Sequence, residues 1–153
     1  MSLNSPNLIL MADDDADDRL LVKDALAECR IAEKLRFVED GEELMNYLLR
    51  RGKYAALDAA PRPGLILLDL NMPRKDGREA LREIRAHPEL RRLPVVAFTT
   101  SKSDTDVRAI YELGGNSFVS KPVAFDALVK VLGAMTRYWF GIVELPGTQG
   151  KGS

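Results

Sequence analysis

The sequence predicts an α/β protein, a three-layer, doubly wound, five-stranded parallel sheet. Two observations carry that expectation. Short apolar runs alternate with longer segments of helical periodicity, an order that pairs strands in parallel through helical crossovers. Four of these runs also finish on polar residues, delivering Asp13-Asp14, Asp69, Thr99 and Lys121. In a parallel sheet such ends share one edge, where doubly wound folds bind their ligands.

The first strand, Leu8 to Ala12, leads into a helix striped by Val22, Ala25, Leu26 and Cys29. Cys29 is thereby expected in the core. Asp15 occupies the N-cap position three residues before Asp18, and Asp17 and Asp18 are acids of the first turn, favoured by the helix dipole. Leu35 to Glu39 is the second strand. Asp40 with Glu43 then opens a helix through Leu44, Tyr47 and Leu48.

Tyr54 to Pro63 is a long connection before the third strand, Leu65 to Leu68. Asp76 with Glu79 repeats the capping pattern ahead of a stripe of Ala80, Leu81 and Ile84, and His87-Pro88 ends that helix. His87 suits a structural role there, since a cation favours a helix C-terminus. Pro94 to Phe98 forms the fourth strand. Ser103 with Asp106 opens the fourth helix, striped by Val107, Ile110 and Tyr111 and closed by Gly114-Gly115. Asn116 to Ser120 is the fifth strand, and Phe125 to about Ile142 the last helix. Right-handed crossovers leave few topologies for this order.

At 153 residues the chain reads as one domain able to bury a core. Its 46% hydrophobic and 29% charged content is that of a globular chain. A net charge of -1 gives no whole-domain case for nucleic-acid binding. The single cysteine excludes an internal disulfide. No apolar stretch is long enough to span a membrane and no leader opens the chain, so the expected location is cytoplasmic. A disordered lead over 1–6, a folded domain over 7–145 and a flexible tail over 146–153 are expected.

Asp13, Asp14 and Asp69 would crowd negative charge into one crevice, at a cost unless a cation enters. Hard oxygen ligands suit Mg²⁺. Asp13 or Asp14 taken alone need only end a strand and cap a helix. Lys121 has no packing value after a strand, and its ammonium suits a phosphoryl oxygen that must arrive and leave. Thr99 is placed to hydrogen-bond another such oxygen, or is an ordinary strand residue. Pro122 offers a site for a cis peptide bond that would aim the lysine.

The order Asp13-Asp14, Asp69 with Asn71-Met72-Pro73 and Asp76-Gly77, Thr99, then Lys121-Pro122 resembles the receiver domain of two-component response regulators, over residues from about 7 to 142. The resemblance implies a flavodoxin-like (receiver) topology, with Asp69 as acceptor of a phosphoryl group from a sensor histidine kinase or phosphotransfer protein. Asp14 and Asp69 would bind Mg²⁺ directly, Asp13 through water, and Asn71 by its backbone carbonyl. Thr99 would turn towards the phosphoryl group, and Phe118 would follow as a switch lacking the tyrosine hydroxyl common there. The alternative for Phe118 is a plain core aromatic. Thr100, Asn71 and Ser101 would tune the access of water. Such a domain is no enzyme beyond slow self-dephosphorylation.

The long connection before the third strand, Phe98-Thr99-Thr100-Ser101 and the ending from Tyr138-Trp139 to Leu145-Pro146 also resemble regulators paired with phytochrome-type or hybrid kinases. On the last helix Leu128, Leu132, Met135 and Trp139 form one stripe, and Val131, Tyr138 and Ile142 part of another. One stripe is left for a partner, so a homodimer through the fourth and fifth helices is expected, with Trp139 and Tyr138 at its interface. Three other readings compete. An intermediate shuttle in a multistep phosphorelay would use the same residues. An aspartyl-phosphate hydrolase would want a second acid where Asn71 stands, and a cap domain. A flavin or nucleotide binder would want a phosphate loop where Asp13-Asp14-Asp15 repels phosphate.

Overall fold

The computed structural model describes residues 8–56 and 61–146. The expected lead and the expected tail beyond Pro146 lie outside them. Five strands, β1 (Ile9–Ala12), β2 (Leu35–Val38), β3 (Leu65–Leu68), β4 (Val95–Thr99) and β5 (Ser117–Ser120), alternate with five helices. These are α1 (Ala16–Glu28), α2 (Gly41–Leu48), α3 (Gly77–Ala86), α4 (Asp104–Glu112) and α5 (Phe125–Gly141). All strand pairs are parallel, in the order β2-β1-β3-β4-β5. The reversal after β1 puts the carboxyl ends of β1, β3 and β4 side by side at the crevice.

The two-residue period of a strand divides the core between the two faces. Leu10, Ala12, Ile66, Leu68, Val95 and Ala97 pack under α2, α3 and α4. Ile9, Met11, Leu65, Leu67, Val96 and Phe98 pack under α1 and α5. The residues between are as apolar as their neighbours because β1, β3 and β4 are covered on both sides.

The expected caps are present. Asp15, Asp40, Asp76 and Ser103 accept backbone N–H groups of α1, α2, α3 and α4, and Asp76 with Glu79 closes a full capping box. Gly114, at φ 99°, ends α4, with the Gly115 N–H bonded to the Ile110 carbonyl at 2.8 Å. Two further helices end the same way without glycine. Arg30 (φ 65°) and Arg50 (φ 56°) take the left-handed position after α1 and α2. The N–H groups of Ile31 and Arg51 then reach back to the Leu26 and Asn46 carbonyls.

Several expectations need correction. Cys29 is the C-cap of α1 and only half-buried, since the chain turns away at Arg30 before the stripe is complete. Tyr111 is 51% exposed, because α4 buries only Ile110 against the sheet. On α5, Leu128, Leu132 and Thr136 are buried; Met135 and Trp139 pack at the margin of the core beneath α1 and α5. Tyr138 and Ile142, of the second stripe, stay exposed as expected. No cis peptide occurs among the described residues. Lys121 is aimed instead by continuation of the sheet ladder, its N–H donating to the Thr99 carbonyl at 2.8 Å.

Candidate functional site

Three site residues stand one position beyond a strand, and each is fixed by one more ladder bond. The Asp13 N–H donates to the Val38 carbonyl at 3.0 Å, the Asp69 N–H to the Ala12 carbonyl at 3.0 Å, and the Lys121 N–H to the Thr99 carbonyl. The pairing of Ala12 with Leu68 sets Asp13 beside Asp69. Asp13 is fully buried, its Oδ1 accepting from the Asp15 N–H at 2.9 Å, while Arg19 donates to its carbonyl at 2.8 Å.

Asp69 is braced from the other side. Its Oδ1 accepts from the Leu70 N–H at 2.7 Å, and the Gly77 N–H folds back to the Leu70 carbonyl at 2.9 Å. A Cβ at Gly77 would run into the Asp69 carbonyl oxygen, so this close approach requires glycine.

Lys121 closes the site. Its Nζ lies 2.5 Å from Asp13 Oδ2, 3.0 Å from Asp18 Oδ2 and 3.1 Å from Asp69 Oδ2. Burial alone would lower the affinity of this amine for its proton. The Asp13 hydrogen bond and the Asp69 charge, with Asp18, outweigh it and hold the group above its ordinary value. Burial acts oppositely on Asp13, whose carboxyl is raised despite the lysine and the Asp15 N–H.

Asp13, Asp14 and Asp69 each offer an oxygen within 4.8 Å of the others. One ammonium does not balance these three carboxylates and Asp18. The donor set is wholly hard oxygen, open at exposed Asp14 and closed at buried Asp13, and it fits a small divalent cation. Thr99 is buried at the end of β4, and its Oγ1 has no hydrogen-bond partner.

The structure thus brings Asp13, Asp14, Asp69 and Lys121 together. Asn71 is exposed two residues past Asp69, in the loop that Gly77 closes. Phe118, paired with Ala97 on β5, is half-buried against the core beneath α2, α3 and α4. Ser101 is engaged elsewhere, donating to Asp106 at 2.6 Å, and Arg78 holds the same carboxylate at 2.7 Å. Tyr138 meets Trp139 edge-on at 5.4 Å on the far part of α5.

Asp18 is the residue the sequence reading missed. An acid at the third position of a helix suffices for dipole and capping arguments. The available signal was that α1 begins directly at the site, so its first-turn acids point back towards the strand ends.

Comparison with known proteins agrees with this geometry. The family model for the response regulator receiver domain matches residues 9–133. Response regulator Rcp1 of Synechocystis sp. is 41% identical over 143 residues, covering 94% of this chain and 95% of that protein. The solved structure of the phosphorylated cyanobacterial phytochrome response regulator RcpA superposes with a TM-score of 0.83 at 38% identity, covering 91% of this chain and 97% of that one. The Mn²⁺-bound form of Rcp1 gives 0.80 at 39% identity, covering 93% and 100%. The chain belongs to the family of response regulator receiver domains.

Proposed function

We propose that this chain is a two-component response regulator in which Asp69 accepts a phosphoryl group from a sensor histidine kinase and the phosphorylated form changes partner binding. The observation that carries the reading is the meeting of Lys121 with Asp13 and Asp69 beside a third carboxylate, Asp14.

In the reaction a carboxylate oxygen of Asp69 attacks phosphorus, the P–N bond of the phosphohistidine breaks, and its electron pair returns to the imidazole. Leu70 fixes the carboxylate plane through its N–H, and the ladder bond to Ala12 fixes the backbone. Lys121 turns one of its three N–H donors to a phosphoryl oxygen. Asp14 and Asp69, with Asp13 through water and the Asn71 carbonyl in support, would hold Mg²⁺, which would supply positive charge against the phosphoryl oxygens. The Thr99 hydroxyl, unpartnered at rest, donates to another oxygen, and Phe118 follows it inward as the element that reports the change.

The similarity to the regulators Rcp1 and RcpA supports a kinase of the phytochrome type as the donor. Exposed Tyr111 on α4 and Tyr138 on α5 support a homodimer through those helices. No described helix is long and apolar enough to cross a membrane, which fits a cytoplasmic site of action. The chain turns over no external substrate, since the phosphoryl group ends on the protein itself.

Incubation with Mg²⁺ and a small phosphodonor is expected to add one base-labile, hydroxylamine-sensitive phosphoryl group. The Asp69→Asn variant is expected to take up none. Equal labelling of that variant would reject the assignment.

A further inference from the structure

Among the residues around Lys121, Asp18 has no part in the proposed chemistry. Its carboxylate lies outside the group that can share a cation, which comprises Asp13, Asp14 and Asp69. Its contact with the site is the 3.0 Å bond to Lys121 Nζ. We propose that Asp18 is a positioning residue that sets the resting place of the Lys121 ammonium and competes with an incoming phosphoryl group for it. This inference rests on the phosphoacceptor reading above.

An ammonium has three N–H donors, and Lys121 spends them on Asp13, Asp18 and Asp69. A phosphoryl oxygen is therefore recognised only when one bond is given up. Asp13 cannot easily be released: it is fully buried, and abandoning it leaves an uncompensated carboxylate in the interior. Asp69 is the acceptor itself. Asp18 is the most exposed of the three, its side chain one-third open to solvent.

The three carboxylates also come from different elements. Asp13 and Asp69 lie at the ends of β1 and β3, whereas Asp18 belongs to the first turn of α1. Asp18 therefore holds the ammonium from the helix side. Removing its charge weakens one of three competitors for Lys121 and reduces the negative field met by an anionic donor. Both effects favour phosphoryl binding.

Asp17 provides the control. It occupies the same turn with the same charge, and its side chain is exposed. A general contribution of first-turn acids to helix stability or to the long-range field is shared by both residues; a contact with Lys121 is not.

The test compares the unmodified chain with Asp18→Asn, Asp18→Glu and Asp17→Asn, titrating phosphoramidate in saturating Mg²⁺ and following incorporation at Asp69. Asp18→Asn is expected to lower the half-saturating donor concentration about threefold to tenfold. Asp17→Asn is expected to stay within about twofold of the unmodified protein, by salt screening. Asp18→Glu is expected to return towards the unmodified value. Equal shifts in Asp18→Asn and Asp17→Asn, or no shift in either, would overturn the proposal.

A second readout separates failure of this inference from failure of the function beneath it. Proton exchange at Lys121 Nζ, followed by ¹⁵N NMR without donor or metal, is expected to be at least about threefold faster in Asp18→Asn than in Asp17→Asn, because the hydrogen bond protecting the ammonium loses its charge assistance. Equal exchange in the two variants would overturn the role of Asp18 even if the chain labels normally. Absence of labelling in the unmodified chain together with a selective rise in exchange would reject the phosphoacceptor reading and leave the contact standing.

Discussion

Lys121 Nζ and Asp13 Oδ2 meet at 2.5 Å, joining the ends of β5 and β1 across an interval of 108 residues. The carboxylate is inaccessible and the lysine side chain only 7% exposed. Each therefore makes the burial of the other tolerable, and the first prediction follows from separating them.

Lys121→Met should leave Asp13 buried beside two further carboxylates. A loss on the order of 3–5 kcal/mol in unfolding free energy is expected in metal-free buffer. Addition of Mg²⁺ should recover part of it, because a bound cation replaces the missing charge and stabilises only the folded state. Urea unfolding with and without Mg²⁺ measures both effects. A variant as stable as the unmodified protein, and indifferent to Mg²⁺, would contradict the charge balance described for the site.

Asp106 gives a pH dependence away from the crevice. The Ser101 hydroxyl and then the Arg78 guanidinium hold its carboxyl below the ordinary value of 3.8. A lowered folded-state value means stability that is complete above about pH 4 and lost as pH falls through the lower folded value. The Asp106→Asn variant lacks that contribution. Its chemical-denaturation midpoint should therefore decline less between pH 5 and about pH 3 than that of the unmodified protein.

Arg30 occupies a left-handed position that glycine adopts without strain. It is exposed, and the turn it makes is held by backbone bonds from Arg30 to Ala27 and from Ile31 to Leu26. Arg30→Gly should keep both bonds and raise stability by about 0.5–1 kcal/mol, the relief of strain exceeding the added flexibility of the unfolded chain. Thermal unfolding would show this as a higher midpoint.

Tyr138 bears on the proposed dimer. It is 49% exposed, whereas Trp139 beside it leans into the core margin beneath α1 and α5. If α5 carries the interface, Tyr138→Ala should shift sedimentation towards the monomer without lowering thermal stability, and Trp139→Ala should change both. A monomeric unmodified protein at micromolar concentration would remove the interface.

Much of the fold was legible because the signals that specify it are local. The capping acids Asp15, Asp40 and Asp76 and the apolar runs of β1, β3 and β4 act within a few residues of chain. The strand ends were legible for the same reason, and a parallel sheet then placed them together. What escaped was long-range or conformational. Asp18 and Lys121 are 103 residues apart, and the start of α1 directly at the site is the one sign of their contact. Arg30 and Arg50 end helices where glycine is the usual sign. Tyr111 matches the helical period of Val107 and Ile110, yet α4 touches the sheet along a stripe narrower than its period allows.

The register of β1 on β3 has a consequence for how the pocket comes into being. Asp13 and Asp69 lie one step beyond the paired Ala12 and Leu68, so a slip of a single residue would turn one carboxylate to the opposite face. No subset of the chain short of the docked central strands presents the acids together. A cation is therefore expected to meet a finished cradle rather than to recruit the strands. Bound Mg²⁺ is therefore expected to slow unfolding while leaving the rate of folding nearly unchanged, as stopped-flow unfolding and refolding with and without the ion would show.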